Sequence, residues 1–328
     1  MQDEILDILK QYTGVFLVCD LKVKPFAENL RASDPLLSSA PLLEMEFSEE
    51  HKDAETVLEI CRFLMDKGAD RGAIALAIGG GVTTDTVGFA ASIYKRGIAY
   101  ANVPTTLLAM VDASIGGKTG VNLDGYKNMV GSFRQPEFTC VFPEALETLP
   151  SREFRSGAAE LLKTFIIADA AKYAEAVKLL SGWNSGGCIT DNDFLEQMAP
   201  LISDAASIKD GIVCGDPFEQ GGRRRVLNLG HTWAHAIEWW QRQSNDADTF
   251  THGEAVAVGI ICAARRSEAE GIASKGLADR LAADFKACGL PTELPCTEDE
   301  LLPAMRRDKK NSGAAINYVL IEDIGKVK

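Results

Sequence analysis

Ala73-Ile74-Ala75-Leu76-Ala77-Ile78 is a continuous apolar run that ends in Gly79-Gly80-Gly81-Val82 and passes into a helical stretch at residues 84–92. An apolar run without polar alternation reads as a strand covered on both faces, the usual condition of a strand in a parallel sheet. Residues 15–19 (Val-Phe-Leu-Val-Cys) read as another buried strand, residues 42–47 as a third, and residues 98–103 and 140–142 as later ones. Between them, residues 54–67 place Val57, Leu58, Ile60, Cys61 and Leu64 at helical spacing. Strands alternating with amphipathic helices predict a mostly parallel sheet with helices on both faces.

The texture changes after Leu149-Pro150. Helical patterns cover residues 152–168, 193–209, 232–243, 254–270 and 277–288, and the loop at residues 181–187 punctuates them. The chain is therefore expected to form an α/β domain over residues 1–149, with a mostly parallel, Rossmann-like sheet, followed by an all-α domain over residues 150–328. A small-molecule site is expected in a cleft where the two meet.

Composition narrows the partners. The 328 residues are 46% hydrophobic and 25% charged, an ordinary globular balance that excludes low-complexity and collagen-like chains. The formal charge of -13 leaves no overall basic footprint for nucleic acid, and an anionic membrane would repel the average surface. Met1-Gln2-Asp3-Glu4-Ile5 is acidic where a signal peptide is basic. The apolar stretch at residues 255–264 is far short of the roughly 20 residues that cross a bilayer. Eight scattered cysteines, with no C-x-x-C pair, read as free buried thiols in a cytoplasmic protein.

Gly79-Gly80-Gly81 between strand and helix lets backbone approach a ligand, and the helix start offers N–H groups to a phosphate. A plain tight turn explains these glycines equally well. The spacing is not G-x-G-x-x-G, so the usual dinucleotide fingerprint is absent. Gly116-Gly117-Lys118-Thr119 resembles the tail of a P-loop, but Asp112 stands where its first glycine belongs, which disfavours a nucleoside triphosphatase. What remains is a lysine on a glycine-rich loop, with Lys127-Asn128 following.

Metal-ligand residue types gather in the helical half. His231 and His235 stand at i and i+4, and His252 follows in Thr251-His252-Gly253-Glu254, so three of the four histidines fall within a short span. Glu160 lies in Ala159-Glu160-Leu161-Leu162-Lys163, with Lys163 at i+3 on the same helical face. One Glu and two His that leave a coordination position open form a catalytic zinc arrangement. Lys209, Arg223-Arg224-Arg225 and the run Arg306-Arg307-Asp308-Lys309-Lys310 supply cations that suit a multiply anionic substrate in an otherwise acidic protein.

From residue 15 to residue 325 these motifs resemble the 3-dehydroquinate synthases, members of the sugar phosphate cyclases. The matching pieces are Gly79-Gly80-Gly81 with Asp85, Arg96-Gly97, and Val103-Pro104-Thr105-Thr106-Leu107-Leu108-Ala109. The loop from Asp112 to Lys118, Lys127-Asn128, Glu160 with Lys163, Asn228 with His231 and His235, and His252-Gly253-Glu254 complete them. The resemblance implies a lyase that converts 3-deoxy-D-arabino-heptulosonate 7-phosphate (DAHP) to 3-dehydroquinate and phosphate in the shikimate pathway, with catalytic NAD and zinc, or cobalt in its place. It implies Glu160, His231 and His252 as metal ligands. Around NAD it implies Gly79, Gly80 and Gly81 with Asp20, Glu49, Lys52, Asp85, Thr105 and Thr106; Lys118 and Lys127 adjoin both cofactor and substrate. Lys118, Lys127, Asn128, Lys163, Lys209, Arg224, Asn228, His235 and Lys310 match substrate-binding positions, Asp112 lies on the same loop as Lys118, and Arg96 matches a residue supplied across a homodimer interface.

The implied chemistry is oxidation by NAD, elimination of phosphate with the substrate's own phosphate taking the proton, re-reduction, ring opening and an aldol closure. The sequence departs from the family pattern in places. Ala234 stands where glycine is usual, and the segment from Glu219 to Arg225 is one residue longer than is usual, so Arg223 competes with Arg224 as Lys309 does with Lys310. The strand common before residue 15 and the helix common after residue 325 are not expected here. Two other activities fit less well: a cyclase acting on sedoheptulose 7-phosphate, and a polyol dehydrogenase of the glycerol dehydrogenase type.

Overall fold

The computed structural model describes residues 3–124, 126–244, 249–307 and 316–328. The chain divides into two compact units, one ending at Leu149 and the other beginning at Pro150.

In the first unit α1 (Asp3–Leu9) leads into β1 (Val15–Asp20). Then come α2 (Lys24–Ala32), α3 (Pro35–Ser39), β2 (Leu42–Met45), α4 (Ala54–Asp66), β3 (Ile74–Gly79), α5 (Gly81–Ile93) and β4 (Ala99–Pro104). The four strands pair in the order β2-β1-β3-β4, all parallel. Alternation along each strand feeds two cores. Phe16, Val18, Ala75 and Ala77 pack with Val57, Ile60 and Leu64 of α4 and Val87 and Ala90 of α5. Leu17, Cys19, Ile74, Leu76 and Ile78 pack on the other face with Leu9, Ala27, Leu30 and Leu37. Both faces are covered, which is why the strands are apolar throughout.

Two segments differ from the sequence expectation. Residues 118–133, whose first three belong to the stretch read as a glycine-rich loop and whose remainder carries no expected element, form an antiparallel hairpin of β5 (Lys118–Leu123) and β6 (Tyr126–Phe133). Its glycines allow close packing: a Cβ on Gly88 of α5 would lie 2.6 Å from Thr119 Cγ2. Residues 140–142 are not a strand. Pairing with β4 is limited to one bridge, Asn102 with Thr139, and Pro143 then starts a 3-10 turn.

The second unit is built on two helices buried along most of their length, α6 (Ser151–Ala168) and, later in the chain, α10 (His252–Ala269). A helix covered on every side is a core element. Around them lie α7 (Ala170–Asn184), α8 (Asn192–Cys214), α9 (His231–Ser244), α11 (Leu277–Ala287) and α12 (Glu298–Arg307). A small hairpin, β7 (Ile321–Asp323) with β8 (Lys326–Val327), adds strand to this otherwise helical unit, and Gly325 N–H donates to the Ile166 carbonyl at the end of α6. All eight cysteines are free; Cys188 and Cys214 are exposed, unlike the buried thiols expected. No helix among the described residues is long and apolar enough to cross a membrane.

Candidate active site

Glu160 sits mid-way along α6 and is fully buried, so its charge must be met inside the protein. The Lys163 ammonium, one turn on, pairs with it. Two imidazoles face the same carboxylate: His252 Nε2 lies 3.4 Å and His231 Nε2 3.7 Å from Oε1. Beyond this ion pair and the two imidazoles, no group supplies the two carboxylate oxygens with a hydrogen bond. These three side chains are the group among the described residues whose ligand atoms all lie within 4.8 Å of one another.

The other ring nitrogens explain the orientation. His231 Nδ1 is 3.1 Å from the Leu229 carbonyl, which can only accept, so Nδ1 carries the proton and Nε2 the lone pair. His252 Nδ1 is 3.0 Å from Glu238 Oε1. A pair of imidazoles presenting Nε2 to a buried carboxylate fits a divalent cation of the zinc or cobalt kind, with a coordination position left open. Burial pushes the His252 ring down, but Glu238 and Glu160 outweigh it and hold its pKa up at about 10. For Glu160, burial pushes up, while Lys163 and His252 outweigh it and hold the carboxyl down at about 2.

Backbone crossings bring these three side chains together. Gly253, next to His252, donates its N–H to Ser156 Oγ on α6 at 3.0 Å, and a Cβ there would fall 1.9 Å from the Ser156 carbonyl. Gly259 of α10 faces Gly230, next to His231, where a Cβ would meet the Gly230 carbonyl at 2.1 Å. Arg152 at the start of α6 donates to both oxygens of Glu254, at 3.1 and 3.2 Å from Nε, and Glu254 completes the capping box of α10 with Thr251. The helices carrying these three side chains thus meet where Gly253, next to His252, faces Ser156, four residues before Glu160, and where Gly259 faces Gly230, next to His231.

Cations accompany the cluster in this unit. Lys163, Lys209 of α8 and Arg224 are all buried. Of the three consecutive arginines, Arg223 and Arg225 are exposed, so burial favours Arg224 over Arg223. Its loop is folded around Asp216, whose carboxylate accepts from the N–H groups of Gln220, Gly221 and Arg224 at 2.8, 2.9 and 3.3 Å. The segment of unusual length runs through two left-handed positions, Glu219 and Gly222. Asn228 Nδ2 donates to Glu219 Oε1 at 3.4 Å. His235 is exposed and edge-on to His231, at 5.5 Å between ring centres. Ala234 is buried within an intact α9. Lys310 and its alternative Lys309 lie outside the described residues.

In the first unit the strand order reverses between β1 and β3, and ligands of such sheets collect at the carboxyl ends of the strands there. Asp20 ends β1, Gly79 ends β3, and Thr105 follows β4. Gly80 caps α5 with no side chain, so the first-turn N–H groups of that helix receive no side-chain acceptor from its cap. A Cβ on Gly81 would lie 2.9 Å from Ala113 Cβ, and one on Gly80 3.1 Å from Thr106 Cγ2. The glycines therefore make a close-walled cradle, in which the buried Thr105 hydroxyl lacks a hydrogen-bond partner. Lys52, buried, reaches Asp85 Oδ2 and Asn128 Oδ1, each at 2.7 Å. Asn122 Nδ2 donates to Glu49 Oε2 at 3.1 Å, and Lys127 Nζ is 4.0 Å from the same oxygen. Asp112 lies in the single π turn of Ala109–Ala113, Lys118 is exposed at the start of β5, and Arg96 is exposed in a left-handed conformation on the turn after α5.

Sequence reasoning did not find Glu238, Asn122, Asp216, Ser156 or Arg152. Glu238 alone carried a signal, seven residues after His231 and three after His235, on the same face of one helix.

Comparison with known proteins meets this geometry. Residues 42–156 match the model of the 3-dehydroquinate synthase N-terminal domain and residues 157–311 that of the C-terminal domain. The 3-dehydroquinate synthase of Acidithiobacillus ferrooxidans is 39% identical over 314 residues, 95% of this chain and 83% of the relative. Among solved structures, 2-epi-5-epi-valiolone synthase from Streptomyces hygroscopicus, with NAD+ and Zn2+ bound, aligns with a TM-score of 0.84 at 28% identity over 98% of this chain and 88% of its own. A 2-deoxy-scyllo-inosose synthase complexed with carbaglucose-6-phosphate, NAD+ and Co2+ aligns with a TM-score of 0.81 at 27% identity over 97% of this chain and 85% of its own. An α/β unit with a glycine cradle, a helical unit with a Glu-His-His cluster and family matches across both halves converge on one statement: the chain belongs to the 3-dehydroquinate synthase family.

Proposed function

We propose that this protein is a 3-dehydroquinate synthase, closing DAHP to 3-dehydroquinate with release of phosphate. The observation that carries the reading is the fully buried Glu160 carboxylate, faced by two Nε2 atoms and a lysine. The family membership and the 39% identity to a named synthase support the same activity.

Glu160, His231 and His252 hold the metal. When bound, zinc or cobalt polarises substrate hydroxyls and NAD accepts and returns a hydride. Lys163, Lys209, Arg224, Asn228 and His235, with Lys118, Lys127, Asn128 and Lys310, bind the substrate's carboxylate, hydroxyls and phosphate. Lys163, Lys209 and Arg224 are buried and so already desolvated, and they grip an anion through each step without reorganising. The phosphate they hold takes the proton during its own elimination. The α5 N-terminus over Gly79–Gly81 binds the cofactor pyrophosphate; Asp20, Glu49, Lys52, Asp85, Thr105 and Thr106 bind its adenosine and ribose parts.

Phosphate release from DAHP with added NAD and zinc tests this, with sedoheptulose 7-phosphate in parallel. The expected result is release from DAHP alone, stopped by a chelator and without net NADH absorbance. The likeness to the valiolone and inosose synthases favours a second reading, turnover of a neutral sugar phosphate. Release from sedoheptulose 7-phosphate only would establish it, and stoichiometric NADH would point to a polyol dehydrogenase.

The reading includes a cytoplasmic homodimer with Arg96 reaching the partner's site. Of the ten large exposed hydrophobic side chains among the described residues, five (Leu123, Tyr126, Met129, Val130 and Phe133) lie on the β5–β6 hairpin. Apolar side chains so concentrated on one two-stranded ribbon support burial against a second copy.

A further inference from the structure

The two imidazoles of the cluster are oriented by different chemistry. His231 Nδ1 faces a neutral carbonyl, that of Leu229, whereas His252 Nδ1 faces the Glu238 carboxylate. Glu238 is itself buried, on the same helix that carries His231 at its first residue. It does not belong to the cluster of mutually close donors formed by Glu160, His231 and His252. Glu238 Oε1 and Glu160 Oε1 instead bracket the His252 ring, at 3.0 Å from Nδ1 and 3.4 Å from Nε2. A buried carboxylate needs a partner, and the His252 ring supplies one here.

We infer that Glu238 is a positioning residue for the metal centre. It fixes the plane and tautomer of His252 so that Nε2 presents its lone pair, and its charge makes that nitrogen the stronger donor of the two. The charges define what is lost without it. Glu160 and Glu238 both place a carboxylate against the His252 ring; with a neutral residue at 238, Glu160 alone supplies charge there. This inference rests on the reading of Glu160, His231 and His252 as metal ligands.

The test uses full-length Glu238→Gln, Glu238→Asp and Glu238→Ala proteins beside Glu160→Gln and His252→Ala. Zinc affinity is measured by competition with a chromophoric chelator, and the ligand field by the visible spectrum of cobalt-loaded protein. Glu238→Gln keeps shape and acceptor but not charge, and it weakens zinc about 10-fold; Glu238→Ala weakens it about 100-fold. Both move the cobalt bands, and Glu238→Asp recovers part of the affinity. Thermal unfolding of the metal-free proteins checks the fold, and Glu238→Gln carries the test if Glu238→Ala does not fold. Zinc affinity within twofold of wild type in Glu238→Gln and Glu238→Ala, with unmoved cobalt bands, overturns the role of Glu238. If Glu160→Gln and His252→Ala still lose zinc in that case, the ligand assignment stands. Zinc retained by those two variants overturns the ligand assignment instead.

Discussion

Glu160 is an anion at the centre of a folded unit, and its neighbours are a lysine and two imidazoles. Replacing it by glutamine leaves the Lys163 ammonium buried without its counter-charge. The Glu160→Gln protein should lose metal and turnover together and, metal-free, unfold with about 3 kcal/mol less stability, read from denaturant titration. Retained zinc would remove Glu160 from the ligand set. The pH dependence follows from His252. Its folded pKa, about 10, lies above the ordinary 6.5, so its stabilising contribution to the metal-free protein is complete below pH 6.5 and is lost as pH rises through 10. A metal needs the neutral ring. Between those pH values zinc uptake should therefore release a proton from this group, and affinity should climb up to tenfold per pH unit. Calorimetry in buffers of different ionisation enthalpy reads that proton; a heat that does not change with buffer would contradict it. At this scale the sequence was only partly legible. His231 and His235 advertise themselves at i and i+4, yet the structure leaves His235 outside the close cluster and recruits Glu160, seventy-one residues before His231. Spacing cannot announce such a meeting; the likeness to a known family did.

What spacing could not announce, the helices accomplish through glycine. α10 crosses α6 at Gly253 and the approach to α9 at Gly259, and at both places a Cβ would overlap a backbone carbonyl. Backbone cannot retreat as a flexible side chain can, so Gly259→Ala should push α10 off Gly230 and carry His252 away from His231. The expected outcome is a loss of about 3 kcal/mol in stability and a weaker zinc affinity than wild type, measured by chemical unfolding and metal competition. Zinc affinity surviving a clear loss of stability would show that the crossing holds the fold and not the centre. Long periodic helices were the most legible elements, because 3.6-residue apolar spacing survives over many turns. The β5–β6 hairpin was not: Gly116, Gly117, Gly120 and Gly131 and its polar positions hide the alternation that marks a strand. Its pairing is held by non-local packing on α5, where Gly88 makes room for Thr119 and Tyr100. Residues 140–142 erred in the other direction, apolar enough for a strand but turned aside at Pro143.

The whole molecule raises a question that neither unit answers alone, which is why Arg96 is held in left-handed backbone, exposed, between left-handed Lys95 and Gly97. Such conformations cost free energy and persist where the surroundings fix them, often where a side chain must be aimed. An exposed guanidinium held on such a turn suits delivery to a second copy, and complementation decides it. Arg96→Ala and Glu160→Gln proteins should each be inactive. Mixed, unfolded and refolded together, they should form hybrids in which the Arg96→Ala chain keeps an intact metal set and its Glu160→Gln partner lends the arginine. Random pairing makes half of the dimers hybrid, each with one complete site, so the mixture should recover about a quarter of wild-type activity. If Arg96 serves its own chain, each site in the hybrid lacks one residue or the other and no activity returns. Sedimentation of the same samples separates the remaining case: monomers throughout would remove both the dimer and the role of Arg96 across it.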